Sequence, residues 1–249
     1  MISILYVNAC GDKNSNMRLN FKGDHNARAL LLGKLALNHD CNIIYVNDWA
    51  PVGMSALDHV LQMSGYSRYF PEGFEKEQKP WRFSAVSTLF VKDVLFKQLH
   101  RPVGAFDTTY RYIMGKITKE DITLVIKGNH IPPADENALE VTENRKRRML
   151  LDDIRFMHEV DEKGECAIAV GDYNGNRGDY NYVCQEELNL ISWHDVLQEP
   201  TYDGKQLDHV FVSPVLAEKN VVSAEAIEEG YMQLTDHKII KIMIEAKQK

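Results

Sequence analysis

The chain has 249 residues, 44% hydrophobic and 26% charged, which are values of a globular protein with enough apolar surface for a sizeable core. Its 29 basic and 36 acidic residues leave a formal charge of −7. That balance excludes a protein that holds nucleic acid mainly by bulk positive charge, but not an enzyme whose metal site gathers carboxylates.

No run of about 18 apolar residues is present, so no membrane span is expected. Met1 leads straight into Ile2–Val7, which reads as a first strand and not as a secretory signal. Cys10, Cys41, Cys166 and Cys184 are scattered, with no CxxC pair or zinc spacing, and read as reduced thiols of a cytoplasmic protein. No repeat, low-complexity tract or linker divides the sequence, so a single domain over residues 1–249 is expected. The polar stretch 71–80 is too short for a linker and reads as a surface loop.

In chain order, 2–7 and 42–47 are short apolar runs ending in polar residues, as buried strands do. Between them, Ala27, Leu31 and Leu35 lie four apart and predict a helix over 27–37 with an apolar stripe. Residues 84–95 and 110–117 read as middle strands, and 121–127 as a β-rich run ended by Gly128. A helix is expected over about 142–160, with Leu150, Ile154 and Met157 facing inward and Arg145, Lys146, Arg147 and Arg148 crowding its first turns. Strands at 166–170, 209–213 and 239–244 complete the pattern. Two sheets packed together with helices outside satisfy this order.

Polar residues fall where the strands stop. Asn8 follows the first strand, Asp48 the second, and His130 the run ending near Lys127. Asp172 and Asn174 follow Val170, Asp208 precedes 209–213, and Asp236 and His237 precede the last strand. The fragments Tyr6-Val7-Asn8, Val46-Asn47-Asp48, Gly128-Asn129-His130, Gly171-Asp172-Tyr173-Asn174, Leu207-Asp208-His209-Val210 and Thr235-Asp236-His237 span nearly the whole chain. In this order the set resembles the endonuclease/exonuclease/phosphatase superfamily, the DNase I-like fold. The resemblance implies an α/β four-layer α/β/β/α sandwich, with two mixed, mainly antiparallel sheets face to face and helices outside.

The resemblance also implies a divalent-metal-dependent phosphodiester hydrolase, a nuclease before a small-phosphoester phosphatase, with nucleic acid as the expected partner. It places Asp48 as principal ligand of Mg²⁺ or Mn²⁺, with Asn8 and Asp236 near the same ion, because hard cations prefer oxygen donors. Asp172 would orient and deprotonate the attacking water, and Asn174 would bond a phosphate oxygen. His237, its ring fixed by Asp208, would donate to the developing negative charge, and His130 would contact the phosphate or leaving group. The departures are Asp48 where the family carries Glu, Asn47 for Gln, Thr235 for Ser, and Cys10 where many nucleases carry an acid. They leave open a member that kept the fold as a binding module and lost activity.

Taken alone, the Arg145–Arg148 cluster reads as a solvated helix face, although basic residues near a helix start oppose its dipole. Lys13, Arg18, Lys22 and Arg28 are candidates to line a substrate groove. His25, His39, His59, His100, His158 and His194 carry no motif. P-loop, GxGxxG, HExxH and GxSxG signatures are absent.

Overall fold

The computed structural model describes residues 1–11, 19–51, 53–79, 85–99, 110–131, 139–175 and 192–247, with the backbone alone for 139–144. Lys13, Arg18, His100 and Cys184 lie outside the described residues.

In chain order the elements are β1 (Ile2–Asn8), α1 (His25–Asn38), β2 (Ile43–Trp49), α2 (Ser55–Met63), β3 (Ser67–Tyr69), β4 (Val86–Val91), β5 (Leu95–Leu99), β6 (Tyr112–Lys119) and β7 (Ile122–His130). Then come α3 (Leu139–Lys163), β8 (Ala167–Asp172), β9 (His194–Asp195), β10 (Asp208–Val212), α4 (Pro214–Lys219), β11 (Asn220–Ile227) and β12 (Ile239–Ala246). Sheet A runs β11-β12-β1-β2-β4-β3 and sheet B runs β5-β6-β7-β8-β10-β9. Among the strand pairings of the described residues, β1–β2 and β7–β8 are the parallel ones.

Strand periodicity builds the layers, because successive side chains point to opposite faces. Ile2, Ile4 and Tyr6 of β1 join Ile122, Leu124 and Ile126 of β7 and Val210 and Val212 of β10 in the core between the sheets. The alternate residues Leu5 and Val7 pack outward with Ala29, Leu32 and Leu57 of α1 and α2. On sheet B, Val125, Ala167 and Ala169 meet Leu150, Ile154 and Met157 of α3. The result is the expected α/β/β/α sandwich.

Four local expectations change. The run 84–95 is broken by a turn after Val91, and β5 forms an edge strand beyond it. The stripe of α1 is rotated one residue: Ala27 and Leu31 are exposed, and Arg28, Ala29, Leu32, Gly33, Leu35 and Ala36 are buried. The small residues explain the rotation, since a Cβ at Gly33 would lie 3.3 Å from the Leu57 Cα of α2. Loop 71–80 is less polar than it reads, because Phe74 is buried against Trp49 and Phe70. Arg28 is not a groove residue: it is completely buried. Cys10, Cys41 and Cys166 are free thiols. Among the described residues, no helix is long and apolar enough to cross a membrane.

Candidate active site

The strand parity that builds the inner core also delivers the polar residues. Asn8 lies two after Tyr6, His130 two after Gly128, Asp172 two after Val170, and Asp208 two before Val210. Each continues an inward-facing column to the point where the apolar core ends. The register sets His130 and Asp208 on either side of Asp172, with His130 paired to Asp172 and Asp208 paired to Asp172. Two glycines of the motifs permit close approach. A Cβ at Gly128 would fall 2.4 Å from the Tyr45 ring, and one at Gly171 would fall 2.0 Å from the Asn129 carbonyl oxygen.

Asp48 arrives differently. In regular β2 pairing it would face the helices, but the β2–β4 register shifts between Val46 and Trp49, and Asp48 sits at φ 52°. A bulge of this kind re-aims a side chain. Asp tolerates a left-handed backbone far better than most residues with a side chain, which gives a physical reason for Asp at this position.

Asp172 is the hub. Its Oδ2 accepts from Asn8 Nδ2 at 3.3 Å, and its Oδ1 accepts from the Asn174 backbone N–H at 2.8 Å. His237 Nε2 lies 3.8 Å and His130 Nε2 3.9 Å from Asp172 Oδ2. His237 Nδ1 donates to Asp208 Oδ2 at 2.7 Å, and the other Asp208 oxygen accepts from Tyr6 Oη at 2.6 Å. His130 Nδ1 lies 3.3 Å from Asp48 Oδ1, so one imidazole spans the Asp48 and Asp172 carboxylates. Asp236 is half-buried, and its charge acts on the neighbouring His237. Asn174 gives its side-chain amide to the Ile131 carbonyl at 2.8 Å, so the amide expected to meet phosphate is bonded within the protein on at least one hydrogen.

The electrostatics separate the two imidazoles. Burial opposes charge on His237, but Asp208 and Asp172 outweigh it and push its pKa up to about 10. His130 is held neutral, well below its ordinary value, by burial and by Arg111 and His237. Burial lifts Asp172 to about 8; His237 opposes the rise, and Asp208 and Asp48 add to it. Asp208 stays ionised below the usual carboxylate range despite burial, because His237, Thr201 and Tyr6 favour its charge.

Sequence reasoning missed Arg111 and Tyr6. The Arg111 guanidinium lies 3.3 Å from both ring nitrogens of His130 and feels the charges of Asp48 and Asp172. Its position just before β6 brings it there, since the His130 N–H donates to the Arg111 carbonyl at 2.8 Å. Tyr6 could have been found as a lone hydroxyl in an aliphatic column two residues before Asn8. The basic cluster on α3 is split: Arg147 and Arg148 are exposed, whereas Lys146 Nζ donates to the Asn174 carbonyl at 2.8 Å and Arg145 acts on Arg111.

Asp172, Asp208 and His237 place one ligand atom each within 4.8 Å of one another, a group that could hold a metal ion. Both Asp208 oxygens and His237 Nδ1 are already engaged, and a charged imidazole has no lone pair to give, so these three suit proton handling better than coordination. Among the described residues, the carboxyl groups of Asp48, Asp172, Asp208 and Asp236 gather around the charged His237 and Arg111. The elevated Asp172 shows that its charge is under-compensated. A divalent cation among hard oxygen donors would relieve that imbalance, so the residues present fit such an ion.

No family model matches the chain, and no curated protein matches it. Solved structures do. The endonuclease/exonuclease/phosphatase from Bacteroides vulgatus superposes with a TM-score of 0.69 at 15% identity, covering 99% of both chains. The mannosyl-6-phosphatase of Bacteroides thetaiotaomicron gives 0.67 at 13% identity over 98% of this chain and 99% of that one. D. rerio TDP2 complexed with a single-strand DNA product gives 0.69 at 12% identity with the same coverage. Matched end to end with such proteins, the chain has the endonuclease/exonuclease/phosphatase, or DNase I-like, fold.

Proposed function

We propose that the protein is a divalent-metal-dependent phosphodiester hydrolase of the endonuclease/exonuclease/phosphatase superfamily, a single domain, and foremost a nuclease. One observation carries the reading: a buried carboxylate, Asp172, stands within 4 Å of two imidazoles whose protonation states are driven apart, His237 charged and His130 neutral. Paired groups pushed to opposite protonation states are how a fold assigns acid and base roles.

In this reading Asp172 Oδ2 takes a proton from the attacking water as its oxygen bonds to phosphorus. His237 donates from Nε2 to the negative charge that grows on the phosphoryl oxygens, while Asp208 holds its ring through Nδ1. The bond from phosphorus to the leaving oxygen breaks with its electron pair staying on that oxygen, and His130, with Arg111 behind it, would contact the phosphate or the leaving group. Asn8, Asp48 and Asp236 would hold Mg²⁺ or Mn²⁺, which supplies Lewis-acid polarisation of the phosphate. Arg111, with Arg145 and Lys146 on the sheet B side, supports a polynucleotide, whose neighbouring phosphates need cations local to the site in a chain of net charge −7. The buried free thiols of Cys10 and Cys41 support a cytoplasmic location.

A small phosphoester is the second reading, favoured by the near-complete burial of Asp172 (2% exposed) and His237 (6%). The deciding experiment incubates plasmid DNA, single-stranded DNA, RNA and a chromogenic phosphodiester with the protein in Mg²⁺, Mn²⁺ or EDTA. Metal-stimulated, salt-sensitive cleavage of a polynucleotide is the expected result. Turnover of small esters alone would transfer the protein to the second reading, and no metal-stimulated hydrolysis would leave an inactive binding module.

A further inference from the structure

We infer that Arg28 is a positioning residue, one buried guanidinium that fixes the loops bringing Asn8, Asp48 and the Asp236–His237 pair into the mouth of the sandwich. The role assigned to those four residues rests on the functional reading above; the clamp itself is read from geometry.

Arg28 lies in the first turns of α1, on the stripe where an apolar residue would ordinarily sit, and none of it reaches solvent. Its Nη1 donates to the Ala9 carbonyl at 2.9 Å and to the Leu234 carbonyl at 2.6 Å. Its Nη2 donates to the Cys10 carbonyl at 2.9 Å and lies 3.4 Å from His25 Nδ1. Ala9 and Cys10 directly follow Asn8, and Leu234 is two residues before Asp236. One planar fork therefore joins the loop leaving β1 to the loop entering β12, which are more than 220 residues apart in sequence. Lysine, a single flexible ammonium, cannot address three carbonyls in this fixed geometry.

The third loop is tied through the first. Ala9 N–H donates to the Asn47 carbonyl at 2.7 Å and Gly11 N–H to the Asp48 carbonyl at 2.9 Å. A Cβ at Gly11 would come within 2.2 Å of that Asp48 oxygen, so the approach needs glycine. The bulge that aims Asp48 thus rests on the segment that Arg28 holds. Thr235 Oγ1 closes the circuit, donating to the Asn8 carbonyl at 2.5 Å and accepting from the His237 N–H at 3.2 Å. The sheet does not need the clamp, because β1 is already paired along its length with β2 and β12. What the clamp adds is the path of three backbones past the strand ends. A fully buried charge is costly unless polar groups surround it, and here those groups are the carbonyls of the site loops.

The test compares the full-length protein with Arg28→Lys and Arg28→Met by amide hydrogen exchange, circular dichroism, and kcat and KM on a chromogenic phosphodiester with Mg²⁺. Exchange reads loop opening independently of activity. We expect amides in 8–11, 47–50 and 232–237 to exchange at least about tenfold faster in Arg28→Met, with β7 and β8 unchanged. We expect kcat to fall by about 10- to 100-fold with KM held within about threefold, and Arg28→Lys to lie between wild type and Arg28→Met. Loop exchange at wild-type rates, acceleration spread evenly over the chain, wild-type kcat in Arg28→Met, or failure of both variants to fold would each overturn the proposal. If the wild type hydrolyses no phosphoester, the functional reading falls by itself, and the exchange pattern alone decides the clamp.

Discussion

Removing the single oxygen of Tyr6 isolates one link of the site. Tyr6 belongs to sheet A, yet its hydroxyl crosses the sandwich to donate to Asp208 Oδ1 at 2.6 Å while accepting from Asn47 Nδ2 at 3.3 Å. Asp208 is wholly buried and stays charged through His237, Thr201 and Tyr6. Tyr6→Phe keeps the ring and deletes a charge-assisted bond worth about 1.5–3 kcal/mol. For a chain of this length that corresponds to a loss of about 3–12 °C in melting temperature. If the whole bond were expressed in the transition state, kcat would fall by a factor of about 10–150, which sets the upper bound. Thermal melts followed by circular dichroism and turnover of a chromogenic phosphodiester measure the two effects separately. A mutant that melts within about 1 °C of wild type and keeps its full kcat would show that Asp208 does not depend on the tyrosine, and the reasoning about cross-sheet support would be wrong.

Further outcomes are expected at the site and around it. Asp172→Asn and His237→Ala each lower turnover by about 10²–10⁴ without unfolding the protein. Asp172→Asn in addition raises the melting temperature at neutral pH, because it relieves the buried carboxyl whose pKa stands near 8; a lower melting temperature would refute that cost. Turnover at low Mg²⁺ follows a bell in pH, rising as Asp172 ionises near 8 and falling as His237 discharges near 10, and more Mg²⁺ moves only the acid limb to lower pH; an alkaline limb that moves instead would reverse the assignment. His209 is buried and its pKa is raised, with the bond to Asp195 at 2.7 Å and the Gly175 carbonyl outweighing burial. Its stabilisation is therefore complete below the unfolded value and lost as pH rises through the folded one, so urea midpoints of wild type decline over that range more steeply than those of His209→Gln. Asp48→Glu, which puts in the residue of the family that the motifs resemble, weakens Mg²⁺ binding by calorimetry, because Glu suits the φ of 52° less well and carries its carboxylate one methylene past His130; tighter binding would refute the bulge argument.

The layers were legible because alternation is a strong signal. Ile2, Ile4 and Tyr6 against Leu5 and Val7 divide β1 between two cores, and the same rule carries Asn8 inward. Short or half-exposed elements were not legible. β3 has three residues, β9 has two, and β11 alternates exposed and half-buried positions at the sheet edge after a buried Asn220. The stripe of α1 misled because spacing weighs Leu31 as apolar and cannot foresee a buried Arg28 or the close approach at Gly33. Within the site, residues marked by ordered motifs were visible. Arg111 was not, because its role depends on the register of β6 against β7, and no local pattern encodes that register.

The site also explains why polar side chains line the mouth end of the inner core. Tyr45, Asn47 and Ser87 bond among themselves at 2.9–3.2 Å, and Asn47 reaches across to the Asn129 carbonyl at 3.0 Å. Behind sheet B, Asp153 of α3 accepts from Lys127, Asn129 and Tyr173, the neighbours in sequence of Gly128, His130 and Asp172. An apolar filling would stabilise these positions at least as well, since buried polar groups merely recover in bonds what they lose in hydration. Bonds have direction where apolar contacts do not, and they fix the strand ends in register as well as in distance. A carboxylate that must stand 3.8 Å from one imidazole and 3.9 Å from another needs that second constraint. The polar network is therefore best understood as the means by which two sheets, each stable through its own ladders, are held in the single alignment that puts Asp172 between its histidines.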